Sequence, residues 1–380
     1  MLKLMRAPAK YVQGEDALLE LRQNVENLGK SFLFICSGSG RKATEDKIRQ
    51  SFASSEAQIY FETFGGISSR GEIEKMGRLV QEKGIDVVCG VGGGSAIDTA
   101  KATAYYQHKP VVIIPTVCAT DAPCTGLSVI YQDDGTFDSY LFYPQNPDVV
   151  VVDTGVFERY LFLNSNPDLV LVDTDIIAAA PSRLLVSGMG DALGTFFEAR
   201  VCERNHAPSL ENGGVTRSAM ALCRLCWDTL QDKGLLAKVD AQQGLLTPAV
   251  EAIVEANTYL SGVGADNGGL AVAHSVYNGF TALEELTAMH GEVVAYGTLA
   301  QLLLEDGPTE EFWQVHRFCR SVGLPVTLAE MGITDKSRVI IAAEKACAPG
   351  ESIHNMAWEI SPKNLEQALL SVDALSAQQK

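Results

Sequence analysis

The chain has 380 residues, enough for two domains with separate cores, and its 46% apolar and 20% charged composition is that of an ordinary globular protein. A net charge of −17 argues against nucleic acid or an anionic membrane surface as a partner. The start, MLKLMRAPAKYV, is too short an apolar run for a signal peptide, no stretch is long enough to span a bilayer, and nine cysteines, mostly in apolar segments, read as reduced core residues of a cytoplasmic protein.

Strand-like and helix-like pieces alternate through the first half. Ala9–Gln13 reads as a strand and Asp16–Leu28 as a helix. Phe32–Cys36 is a buried strand entering SGSGRKATEDKIRQSF, a glycine-punctuated turn and helix. Gln58–Phe64 is the next strand, and Ser69 with Glu72 forms a capping box for a helix to Lys83. Ile85–Cys89, apolar and β-branched, is another buried strand. It runs into GVGGGSAIDTAKA, where an Ala-rich helix continues to Tyr106. Glycines between strand and helix let backbone N–H groups approach a diphosphate, and the helix N-terminus adds partial positive charge. Taken alone, such a cluster is equally a tight turn that binds nothing. Ser95 stands where the dinucleotide fingerprint wants glycine, and the Gly-Lys-Ser/Thr ending of an ATP loop is absent. Val111–Ile114, ending at Pro115-Thr116, completes a βαβ series, which means a parallel sheet covered on both faces.

Residues Phe137–Val156 are followed at once by a second version of themselves, Phe157–Ile176, with 11 of 20 aligned positions identical. Two copies are too few for a solenoid, so the repeat reads as a local tandem duplication.

From Pro181 the character changes. PSRLLVSGMGDALGTFFEAR, TPAVEAIVEANTYLSG, HGEVVAYGTLAQLLLEDG and EEFWQVHRFCRSVG all carry helical periodicity. The expected organisation is therefore an α/β domain over 1–180, containing the 137–156/157–176 duplication, and a helical domain over 181–380. A cleft between two such domains is a common ligand site. Cys223 and Cys226 make a CxxC inside a helix with no second pair, which is packing rather than a zinc site. Three residues in the helical half have metal-ligand chemistry: Asp191 in GMGDAL, His274 in a helix that Asn278-Gly279 should end, and His290 at a helix start. A carboxylate and two imidazoles suit a divalent transition metal with one position left for substrate. A lone histidine at a helix end is more often a hydrogen-bonding residue. His108, His206, His316 and His354 are placed in that class, and spacing alone does not unite residues as far apart as Asp191 and His274.

GVGGGSAIDTAKA, PTVCATDAPCTGLSVIY, GMGDALGTFFEA, GGLAVAHSVYNGFTA and HGEVVAYGTL fall in the order and spacing of the metal-dependent (group III, iron-containing) alcohol dehydrogenase family, in its glycerol-oxidising branch. The chain resembles that family from KYVQG to ESIHNM. The resemblance implies a Rossmann-like α/β nucleotide-binding domain and an all-α domain, the dehydroquinate synthase-like fold. It implies a cofactor segment of Gly92, Gly93, Gly94, Ser95, Ala96, Ile97 and Asp98, with further contacts at Thr116, Val117, Cys118, Ala119, Thr125, Leu127 and Tyr131. It makes Asp191, His274 and His290 the metal ligands and catalytic residues, and Asp121 the catalytic carboxylate that binds substrate together with His274. Iron-using members carry a fourth ligand, a histidine, at the position of Thr195, so three ligands point to Zn²⁺. The implied activity is hydride transfer from the secondary hydroxyl of glycerol or a similar small diol to NAD, in a homo-oligomer. A reductase of another small hydroxy-carbonyl or 2-hydroxy acid is the alternative. A lyase resembling dehydroquinate synthase ranks below it, because the matching blocks lack the Lys, Arg and His residues a phosphate leaving group needs.

Three departures matter. Ser37 replaces the aspartate of NAD-preferring relatives, which with Arg41 and Lys42 nearby leaves room for NADP. Tyr277 replaces a second histidine, and Ser95 stands where several relatives have lysine. The family also has one unit where this chain has two. The expectation is that Phe137–Pro144 completes the hairpin, Leu169–Asp173 forms the buried strand, and roughly Gln145–Asn166 bulges near the hairpin as an added loop or strand pair.

Overall fold

The computed structural model describes residues 5–132, 137–140, 161–162, 166–211 and 213–379. Its contacts divide the chain into two compact units: Arg6–Cys118 with Ala122–Ala180, and Ala119–Asp121 with the chain from Pro181 onward.

The first unit is built on a six-stranded, all-parallel sheet in the order β1-β9-β5-β4-β2-β3. The strands are β1 (Tyr11–Gly14), β2 (Ser31–Cys36), β3 (Gln58–Thr63), β4 (Val87–Gly92), β5 (Val111–Pro115) and β9 (Leu169–Asp173). β2, β4, β5 and β9 are buried along their whole length, as a sheet covered on both faces requires. The crossovers are α1 (Leu21–Val25), α2 (Gly38–Phe52), α3 (Arg70–Lys83) and α4 (Gly94–Tyr106). Phe32, Phe34, Phe52, Val87, Cys89, Ile114 and Leu171 make up much of the core on one sheet face. The helix expected from Asp16 is split into a 3₁₀ turn, Ala17–Glu20, and α1, and Asp16 itself adopts φ 55°.

A second, three-stranded sheet has the order β7-β6-β8, formed by β6 (Leu127–Tyr131), β7 (Phe137–Tyr140) and β8 (Leu161–Phe162). β7, from the first repeat copy, pairs with β6, and β9, from the second copy, lies between β1 and β5, both as expected. The segment expected to bulge near the hairpin as an added loop or strand pair does add a strand there. β8 lies within it and pairs antiparallel with β6, at Leu127↔Phe162 and Ser128↔Leu161, and Asn166 is buried with its amide donating to the Cys124 carbonyl. Both copies carry the same Tyr-Leu-Phe pattern, so the second offers β6 a strand on its other edge. Val149–Val152 lie outside the described residues.

The second unit is helical: after α5 (Thr174–Ala178) closes the first unit come α6 (Ser182–Asn205), α7 (Arg217–Gln242), α8 (Pro248–Glu255), α9 (Ser261–Gly268), α10 (Val272–Phe280), α11 (His290–Leu304), α12 (Thr309–Val322), α13 (Val339–Ala346) and α14 (Pro362–Ala377). The single helix expected over 247–262 is interrupted by a π turn, Ala256–Leu260. α10 does not end at Asn278-Gly279. It runs on to Phe280, and Gly279 serves packing, since a Cβ there would lie 2.2 Å from the Ala342 carbonyl oxygen. Cys223 and Cys226 are buried in α7 with their thiols on backbone carbonyls, as the packing reading requires. No helix among the described residues is long and apolar enough to cross a membrane.

The tripeptide Ala119–Asp121 departs from the boundary expected at 180/181. It packs with the helical unit because the Ser187 hydroxyl donates to the Ala119 carbonyl and the Asp121 N–H donates to Asp191.

Candidate functional site

Two long helices meet here without side chains between them. A Cβ on Gly291 of α11 would lie 1.8 Å from the Ser187 carbonyl oxygen of α6, and one on Gly190 would lie 2.3 Å from the Gly291 oxygen. This close approach is what the small residues around Asp191 permit. It sets the first residue of α11, His290, beside Asp191 of α6, with Nε2 3.0 Å from Oδ1. The start of α11 is pinned there by Glu292, which accepts the Met289 N–H at 2.8 Å and holds Arg183 of α6 through two bonds of 2.7 and 2.8 Å.

α10 brings the third member. His274 Nε2 lies 3.3 Å from the same Asp191 oxygen. The ligand atoms of Asp191, His274 and His290 all fall within 4.8 Å of one another, the one such cluster among the described residues. Asp191 is almost fully buried. Burial alone would raise its pKa, but His290 and His274 outweigh that and hold the carboxyl well below its usual range. For His274, burial pulls the pKa down, while Glu198 and Asp191 push it well above the ordinary value. One carboxylate and two imidazoles converging on a small space are a donor set for Zn²⁺ or Fe²⁺, so the residues present fit a divalent metal.

Asp121 joins this group through its backbone, donating its N–H to Asp191 Oδ2 at 3.1 Å. Its carboxylate accepts from the Ser261 hydroxyl at 3.5 Å, and Ser261 is 2.9 Å from the buried Thr195 hydroxyl. Ser261 directly follows the π turn, a distortion that often marks functional sites. Thr195, at the place of the iron-type fourth ligand, thus spends its hydroxyl on Ser261. Tyr277 meets the His290 ring edge-on, with centroids 4.2 Å apart. The other histidines are elsewhere: His108 and His206 take left-handed backbone angles, His316 bonds Ser376, and His354 contacts the Ala348 carbonyl at the surface.

The glycine turn lies in the α/β unit. β4 ends at Gly92, whose φ of 148° is one that side-chain-bearing residues rarely adopt, and a Cβ there would sit 2.7 Å from Ser37 Oγ. Gly93 caps α4 with no side chain on the first-turn N–H groups, and Gly93, Gly94 and Ser95 are accessible while Ala96 and Ile97 are buried. That open, uncapped helix start fits a diphosphate. Thr116 donates its N–H to the Gly92 carbonyl, and a Cβ on Gly93 would meet Val117, so the Thr116–Cys118 segment lines the turn. Ala119, grouped with these residues from the sequence, packs instead in the helical unit. Ser37 caps α2 by accepting the Gly40 N–H at 3.1 Å, and Arg41 is paired with Glu45 at 2.6 Å.

Asp98 does not face outward. Its carboxylate accepts the Val129 N–H at 3.2 Å and lies 3.3 Å from Lys101 Nζ. Lys101, missed in the sequence because it sits in an Ala-rich helix like any surface lysine, is fully buried. It donates to the carbonyls of Ala122, Thr125 and Leu127 and to the Thr125 hydroxyl. It therefore ties together Thr125 and Leu127, and Tyr131 ends the same strand, donating its N–H to the Ser68 carbonyl. Glu198 was also missed. Its only sequence signal is a position two helical turns after Asp191 on the same face of α6.

Comparison with known proteins adds three findings. Residues 8–154 match the family model for iron-containing alcohol dehydrogenase. The chain is 46% identical to glycerol dehydrogenase of Citrobacter freundii, with 100% of this chain and 99% of that protein covered. It is 38% identical to glycolaldehyde reductase of Halobacterium salinarum, covering 99% and 98%. Among solved structures, a probable glycerol dehydrogenase from Sinorhizobium meliloti 1021 superposes with a TM-score of 0.89 at 38% identity over all of both chains.

Proposed function

This chain belongs to the iron-containing alcohol dehydrogenase family, and from that premise we propose that it oxidises the secondary hydroxyl of glycerol, or of a similar small vicinal diol, with NAD. The observation that carries the reading is the meeting of Asp191, His274 and His290 at the Gly190/Gly291 crossing, in a chain that aligns end to end with proteins named glycerol dehydrogenase. When bound, the metal supplies Lewis acidity toward a substrate hydroxyl and NAD supplies the hydride acceptor.

The chain's own residues do the rest. Asp191, His274 and His290 hold the metal. Asp121, oriented by Ser261 and tied by its backbone to Asp191, accepts a hydrogen bond from a substrate hydroxyl. The Gly92–Asp98 turn receives the diphosphate, with Thr116–Cys118, Thr125, Leu127 and Tyr131 around the rest of the nucleotide. Zinc is favoured over iron because the fourth-ligand position is Thr195, whose hydroxyl is engaged by Ser261. NAD is favoured over NADP because Arg41 is already paired with Glu45 and Ser37 is occupied in capping α2. Nine cysteines outside any disulfide, eight of them buried, support a cytoplasmic location, and the resemblance supports a homo-oligomer. The relative named glycolaldehyde reductase supports a second reading, reduction of a small hydroxyaldehyde at the same site.

The test follows the absorbance of reduced nicotinamide with glycerol, 1,2-propanediol and a 2-hydroxy acid, each with NAD and NADP, and in reverse with glycolaldehyde. Highest efficiency with glycerol or propanediol and NAD is expected. A preference for the 2-hydroxy acid or for glycolaldehyde would replace this substrate assignment.

A further inference from the structure

His274 is held by more than its place on α10. Glu198, on α6, has a side chain with no solvent exposure and spends both oxygens on one short stretch of chain. Oε1 accepts the N–H groups of Ala271, at 2.7 Å, and of His274, at 3.1 Å, at the start of α10. Those donors have no partner inside the helix. Oε2 lies 2.5 Å from His274 Nδ1, and the opposite ring nitrogen, Nε2, is the atom turned toward Asp191.

We propose that Glu198 is the positioning residue that fixes the tautomer and ring orientation of His274, so that Nε2 presents its lone pair to the metal. The inference rests on the metal reading above. The physical argument is one of hydrogen-bond direction. A carboxylate only accepts, so Nδ1 must carry a proton, and Nε2 is the nitrogen left to give up its own proton and offer its lone pair when a metal binds. The two backbone N–H bonds hold Oε1, which prevents the carboxylate from rotating away. Orienting carboxylates of this kind strengthen metal binding through a ligand they do not replace.

Glu198→Gln separates this role from packing. The amide oxygen can still accept from Ala271 and His274 N–H, keeping volume and helix start intact. That leaves the NH₂ group facing Nδ1. An NH₂ group donates, so Nδ1 must become the acceptor and the proton moves to Nε2, where it blocks the metal.

The experiment uses the full chain, with zinc affinity from competition against a chelator and ¹⁵N-histidine NMR of the zinc-loaded and zinc-free protein. Expected in the wild type is a His274 ring protonated at Nδ1 in both states. Expected for Glu198→Gln is zinc binding weaker by about 10–100-fold, with the zinc-free melting curve unchanged and the ring no longer protonated at Nδ1. Glu198→Asp, which keeps the acceptor but shortens it, should fall between the two. Equal zinc affinity in wild type and Glu198→Gln, or a wild-type ring unprotonated at Nδ1, overturns the proposal. If Glu198→Gln fails to fold, the wild-type tautomer alone decides. A wild type that binds no zinc or ferrous iron overturns the metal reading and this inference together. Tight wild-type binding left unaffected by Glu198→Gln overturns only the role of Glu198.

Discussion

The glycine turn and the Asp191–His274–His290 cluster are built by opposite means. The turn is made of backbone. Gly92 at φ 148°, an uncapped start to α4 and the adjoining Thr116–Cys118 segment all follow from residues close together in the chain. The cluster is made of side chains delivered by three helices, with Asp191 and His290 99 positions apart, and it exists only because α6 and α11 touch backbone to backbone. A backbone site tolerates change in its side chains and fails when a Cβ is added. A side-chain site fails when a ligand is cut, or when the helices that carry its ligands are pushed apart.

The largest effect expected is from His290→Ala. It should abolish metal retention and turnover while leaving nucleotide binding, measured by quenching or calorimetry, at the wild-type value. Loss of both would mean that the two sites are not separable.

Next comes Lys101→Met. Removing one partner of a buried pair strands the other, here Asp98, and releases the Ala122, Thr125 and Leu127 carbonyls. A cost of roughly 3–5 kcal/mol is expected in denaturant unfolding, together with weaker nucleotide binding and an intact metal site. A stability change below about 1 kcal/mol would show that Lys101 does not hold that loop.

The finest test is a matched pair of glycine substitutions. Gly291→Ala should cost about 1–3 kcal/mol or more by overpacking and weaken zinc binding, with nucleotide affinity unchanged. Gly92→Ala should do the reverse, weakening nucleotide binding about tenfold for each 1.4 kcal/mol of strain placed on the bound form. Equal effects of both variants on both ligands would erase the distinction drawn above.

The same difference explains what could be read from the chain. The alternation of buried strands with helices and the glycine turn after β4 are local patterns, and the parallel sheet followed from them. Asp191, His274 and His290 could not be joined by spacing, and only the matching of whole sequence blocks brought them together. Glu198, Ser261 and Lys101 gave no usable signal. Glu198 and Ser261 act through buried partners far away in sequence and Lys101 through a loop 21 to 26 residues on, and each looks in isolation like a residue on a solvated or capping face. The π turn before Ser261 also lay hidden inside a regular helical pattern. In the duplicated segment the sequence offered similar strand segments, FDSYLF and FERYLF, from the two copies, and nothing local decided that β6 would take one on each edge.

The central claim is that a metal held by Asp191, His274 and His290 carries the oxidation of glycerol. Its most direct test strips the enzyme with a chelator, restores it separately with zinc and with ferrous iron, and follows reduced nicotinamide formed from glycerol and NAD. The account predicts that activity disappears on chelation and returns with zinc, and to a lesser extent with iron. Full turnover by the chelated protein, with no metal remaining in it, would contradict it.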